Sequence, residues 1–142
     1  MKYLLVLILL FCFKLSSAQF KEVNLNGQVF KGTATEILPP DSDRMPQMYD
    51  ELIRFVNEKV YSDILNIYSS EESAYSAQTD ERRMIALEAA SVHFKTKGAK
   101  DGLNVILEFN GNLFGEKNLN GILTVKYPDN SEINFKILTE SE

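Results

Sequence analysis

The sequence predicts an α+β fold in a single domain, with one long amphipathic helix packed on an antiparallel β-sheet. Three observations predict it. Apolar residues between Tyr49 and Ile67 recur at helical spacing. Three stretches in the last forty residues alternate apolar with polar side chains. Turn-forming pairs separate those stretches, as a meander requires.

Taken in order, the first 18 of the 142 residues read as a cleaved secretory signal peptide. Met1-Lys2 gives a positive start, Tyr3 to Phe13 is apolar, and Ser16-Ser17-Ala18 supplies small residues ahead of Gln19. Residues 19–142 then form the domain, and its expected location is secreted or periplasmic. The leader holds two of the 15 basic residues and none of the 20 acids, so the remainder carries 13 against 20, a net −7. That balance argues against nucleic acid as a partner, because phosphate recognition needs a surplus of Lys and Arg. The single cysteine, Cys12, lies in the leader, which leaves the mature chain without disulfide or thiolate chemistry. No later stretch is apolar for long enough to span a membrane.

From Gln19 to Leu38 the chain alternates in places, with Val23, Leu25 and Val29 on one parity. Asn26-Gly27 is a favoured two-residue hairpin turn, although one bent strand satisfies the pattern equally well. Gly32 fits a bulge where the parity changes before Ile37. Pro39-Pro40 ends the strand, since proline has no amide to donate.

The helix is expected at about 46–68, with its ends open by two to four residues. Ser42 or Asp43 caps it, Pro46 suits its first turn, and Asp50-Glu51 lie near its positive end. Tyr49, Leu52, Ile53, Val56, Val60, Ile64 and Ile67 form the buried stripe, opposite Glu51, Arg54 and Glu58. Ser69 to Asp80 is polar and aperiodic, which reads as a mobile loop. Residues 81–97 fit one helix, one strand or, the preferred reading, a short helix feeding a strand: Arg82 to Ala90 favour helix, whereas Val92 and Phe94 alternate with His93 and Lys95. The meander follows at Leu103–Phe109, Ile122–Tyr127 and Glu132–Ile137, with Asp101-Gly102, Asn110-Gly111, Asn120-Gly121 and Pro128-Asp129-Asn130 as turns or bulges.

Candidate chemistry is thin. His93 is the only histidine, and its neighbour Ser91 shares its strand face without the geometry of a catalytic pair. One imidazole builds no zinc site. The acid pairs Asp41 with Asp43, Glu71 with Glu72, and Glu108 with Glu132 fit a capped helix start, a solvated loop and cross-strand ion pairing with Lys126 and Lys136. Asp41-Ser42-Asp43 lacks the glycine and downstream glutamate of a calcium loop. No catalytic residue, metal ligand or cofactor is therefore assigned.

A set of apolar residues falls off the expected stripes. Tyr61, Leu65 and Tyr68 lie beside the helical stripe, and Ile106, Phe114 and Ile122 take the outward parity of their strands. These six are the candidate partner surface, because tyrosine suits a patch that faces both water and a partner; the alternative is that residues 79–97 pack over that end of the helix and the N-terminal strands cover that sheet face. The expected function is an exported, non-enzymatic binding protein acting by protein–protein contact. An inhibitor or immunity-type protein fits, and the acidity favours a basic protein partner. The alternative is a carrier of a small apolar ligand in the cell envelope.

Overall fold

In the computed structural model the described residues are 20–70, 73–80 and 89–142. The leader at 1–18, the pair Glu71 and Glu72, and the helix expected from Arg82 to residue 88 lie outside them. Among the described residues nine strands and one helical turn follow one another: β1 (Phe20–Glu22), β2 (Val29–Ile37), β3 (Met48–Val56), β4 (Lys59–Ser62), α1 (Asp63–Ile67), β5 (Ser73–Asp80), β6 (Ala89–Lys100), β7 (Leu103–Phe114), β8 (Asn118–Lys126) and β9 (Glu132–Ser141). Every strand from β2 to β9 pairs antiparallel with its neighbour in sequence, and β9 returns to pair with β2. The result is a closed eight-stranded antiparallel barrel, and among the described residues no helix reaches seven residues.

This overturns the α+β expectation. The expected helix at 46–68 is the hairpin β3–β4 followed by the five-residue α1. Tyr49, Glu51, Ile53 and Phe55 point inward, and Leu52 and Val56 point outward. Glu51 takes an inward position that alternation reserves for an apolar residue, and apolar Leu52 and Val56 take outward ones. Those exceptions turn a two-residue period into an apparent helical one. The hairpin turns at Asn57 (φ 51°) and Glu58 (φ 63°), both left-handed, as a two-residue type I′ turn demands. The expected loop at 69–80 is largely β5, whose inward parity is Ser73, Tyr75, Ala77 and Thr79, so that Tyr75 is its one large apolar signal.

Other expectations meet mixed outcomes. Asn26-Gly27 forms a turn, but β1 pairs with β5 rather than with β2, so no hairpin results. Gly32 lies in unbroken pairing, where a Cβ would come within 2.0 Å of the Leu138 carbonyl oxygen. It is a close approach of β2 to β9, not a bulge. β2 ends at Ile37, ahead of Pro39-Pro40. The C-terminal meander is present as β7, β8 and β9. Asp101-Gly102 turns β6 into β7, whereas Asn110-Gly111 and Asn120-Gly121 sit inside strands. Gly111 and Gly121 face each other in register, and a Cβ on either would strike the Phe109 ring. These glycines make room for that ring in the lumen.

The lumen is filled. Phe30, Phe55, Leu107, Leu119 and Val125 have no accessible surface. Phe94 stacks on Phe109 at 4.9 Å, and Phe55 meets Tyr75 edge-on at 4.7 Å. An eight-stranded barrel is just wide enough for side chains to occupy its interior, as here. At one end, called lower, Leu25 is buried and its amide donates to the Tyr75 hydroxyl. At the upper end α1 closes the mouth: Leu65 and Tyr68 are buried, and the Ala99 amide donates to the Tyr68 carbonyl.

Candidate functional site

The upper rim gathers the features able to bind. It is built from the β2–β3 connection at 38–47, the α1 plug, the β6–β7 turn and the β8–β9 turn at 127–131. Loops held on a rigid scaffold carry binding residues more often than the scaffold itself.

The β2–β3 connection is held at its base. The Arg44 guanidinium donates from both terminal nitrogens to the Glu36 carboxylate, and the Gln47 amide adds a weaker bond to the same group. Arg44 holds the Glu36 carboxyl below its ordinary value. A two-pronged guanidinium contact fixes geometry as well as charge. Beyond this clamp the chain offers apolar surface to water: Met45 is 85% exposed, Met48 68% and Ile37 46%. Asp41, Asp43 and Asp50 are also exposed along it.

The α1 plug is tied down from below. Ser62 caps the turn by accepting from the Leu65 amide, and Glu51 accepts from the Ser62 hydroxyl and the Ile64 amide. Glu51 is 1% exposed, and burial pushes its carboxyl up to about 7. Tyr68 sits edge-on to Phe135, which in turn meets Tyr49. Desolvation and the neighbouring Tyr127 raise the Tyr68 hydroxyl far above its usual range. These groups hold α1 in the mouth of the barrel.

Between the β6–β7 tip and the β8–β9 turn lies a notch of about 740 Å³, lined by Lys97, Asn104, Ile106, Lys126, Tyr127 and Pro128 among others. A cleft of about 500 Å³ at the lower end has Glu22, Glu58 and the amides of Asn24 and Asn26 on its walls.

The six residues expected as one partner surface do not form one. Leu65 and Tyr68 are buried in the plug. Tyr61 is on the outer face of β4 opposite Arg54. Ile106 lines the notch, Ile122 lies outward between Asn110 and Lys136, and Phe114 is half-buried opposite Ala89 and Asn118. β4 is separated from β7 around the barrel by β5 and β6, so the outward residues face different directions.

His93 lies on the barrel's outer face with its Nε2 3.1 Å from Glu108, whose other oxygen is 3.9 Å from Lys95. His93 holds Glu108 below its ordinary value. Cross-strand, Ser76 and Asn110 flank His93 on an open, convex sheet face. That face has no wall to exclude water or hold a reacting carbonyl. Glu132 is 3.6 Å from Lys126, so Glu108 and Glu132 each pair with a cation rather than with each other. Asp41 and Asp43 lie in the β2–β3 connection. No group of three or more potential metal ligands exists among the described residues.

Sequence reasoning missed Met45, Met48, Lys97, Lys126 and Tyr127. The two methionines were hidden by assignment to a helix start. For Lys97 and Lys126 the available signal was the alternation itself: both share the outward parity of their strands with Ile106. No protein family, no curated protein and no solved structure matches the chain.

Proposed function

We propose that the protein is an exported, non-enzymatic binding protein that acts by protein–protein contact through the β2–β3 connection. The observation that carries this reading is the exposure of Met45 on that connection and of Ile37 and Met48 at the strand ends flanking it, at one end of a rigid barrel. Large apolar side chains clustered in water around one loop, rather than scattered singly, mark contact surfaces. Methionine adapts to a partner's contour better than branched residues do. Asp41, Asp43 and Asp50 beside them favour a partner with basic residues around an apolar pocket. An inhibitor or immunity-type protein works in this way, by covering another protein.

A carrier of an apolar ligand needs an empty chamber, and the side chains lining this lumen leave no accessible surface for one. The test is a capture experiment on cell-envelope and culture extracts, comparing the native chain with the double variant Met45→Asp, Met48→Asp. A partner bound saturably by the native chain and lost in the variant is the expected result. Recovery of no saturable partner, or equal capture by the folded variant, overturns the reading.

A further inference from the structure

We propose that the notch between the β6–β7 hairpin tip and the β8–β9 turn binds a small amphipathic carboxylate, with the head held by Lys97 and Lys126 and the apolar body on Ile106, Tyr127 and Pro128. The site is independent of the protein-contact reading and uses none of its residues.

The notch follows from a mismatch in strand pairing. β7 pairs with β6 as far as Leu103, but its pairing with β8 stops at Ile106 opposite Lys126. Residues 103–105 therefore follow β6 away from β8, and the gap they leave is bounded by the β8–β9 turn. Its volume, about 740 Å³, is that of a small-molecule site. Gly98 sets the inner wall: a Cβ there would come within 2.4 Å of the Tyr68 carbonyl oxygen, so only glycine lets the chain after α1 settle against β6. The Ala99 amide fixes that contact at 2.7 Å and brings Ser69 to the notch.

The charges are arranged for an anion. Lys97, Ile106 and Lys126 form one cross-strand row on the outer face of β6, β7 and β8. Ile106 thus lies between two lysines in the row. No acid is among the residues lining the notch, on a chain whose formal net charge is −5. Glu132 reaches Lys126 at 3.6 Å, but both side chains are about half-exposed, and such a pair is weak enough to exchange for a ligand. Asn104 and Asn130 add amide donors at the rim. Two ammonium charges beside an apolar wall suit an anionic head carried on an apolar body, of which a fatty carboxylate is the simplest form. Ile106, 41% exposed, and the Tyr127 and Pro128 faces give the apolar part somewhere to lie.

The experiment is an amide-resolved NMR titration of the native chain with decanoate, kept below its micelle-forming concentration. Decanol and decylammonium serve as controls. Saturable shifts at residues 97–99, 104–106 and 126–130 are expected, with decanol at least about tenfold weaker because it lacks the charge-assisted contacts. The variant Lys97→Gln, Lys126→Gln, confirmed as folded by its own spectrum, is expected to bind about tenfold less tightly or worse. Absence of saturable shifts at the notch overturns the proposal. So does equal binding of decanol or decylammonium, or unchanged decanoate affinity in the folded variant.

Discussion

Glu51 faces into the barrel, where the Ser62 hydroxyl and the Ile64 amide donate to its carboxyl. Burial raises that carboxyl from 4.5 to about 7. The folded chain therefore holds the Glu51 proton more tightly than the unfolded chain does. Its contribution to stability is complete below about 4.5 and is lost as pH rises through about 7. Glu36 behaves oppositely, because Arg44 lowers its carboxyl, so its contribution is present at neutral pH and lost on acidification. Denaturant unfolding followed from about pH 5 to pH 8 should show the native chain losing stability across that interval. The variant Glu51→Gln should flatten that slope, a difference of at most about 3 kcal/mol. An unchanged slope would show that Glu51 is already ionised in the folded chain. The same side chain explains a failure of sequence reading: a carboxyl at an inward position hides the alternation of β3.

At the scale of elements, the β3–β4 turn is strained where it need not be. Asn57 and Glu58 both adopt left-handed backbone, which asparagine tolerates and glutamate does not favour. The Glu58 amide donates to the Asn26 side chain, a bond that any residue retains. Glu58→Gly should therefore raise the midpoint of unfolding, by about 0.5–1 kcal/mol after glycine's own entropy is set against the relief. A fall in stability would mean that the glutamate side chain makes a contribution the backbone argument omits. The helical turn α1 contrasts with it. Five residues cannot hold a helix by their own propensity, and α1 persists because Ile64 and Leu65 are buried against the barrel mouth and Glu51 secures its start. The long helix expected over 46–68 rested on apolar period and on start signals at Ser42, Asp43 and Pro46, and the turn at Asn57 was the local signal against it.

Across the whole molecule, closure removes every free edge from the eight-stranded ring, yet the seams are unequal. β6 and β7 pair continuously from Ala89 opposite Phe114 to Lys100 opposite Leu103. β4 is four residues long against twelve in β6 and in β7, and among the described residues it pairs with β5 at Lys59 opposite Ala74 and Val60 opposite Ser73, with β1 extending the lower half of that seam along β5. Native-state hydrogen exchange should place the β6–β7 amides at the global stability and the β4–β5 amides well below it. Uniform protection around the ring would contradict this ordering. The low-stability seam adjoins α1, so opening there would loosen the plug before the barrel as a whole unfolds. The notch lies beside the strongest seam, where a preformed site is best held, and the β2–β3 connection is anchored by the Glu36–Arg44 clamp.

The sequence by itself determined the local grammar: the strand end before Pro39-Pro40, the alternating β7, β8 and β9, and the turn at Asp101-Gly102. It also made the acidic charge balance plain. Each of these depends on neighbours a few residues apart, where backbone preference and side-chain parity act directly. Closure of the ring, the inward Glu51, the facing Gly111 and Gly121 beneath Phe109, and the Lys97–Ile106–Lys126 row were decided by the tertiary structure. They depend on which strands meet, and that choice is made by filling the lumen with side chains from all eight strands at once, a constraint that no short stretch of the chain contains.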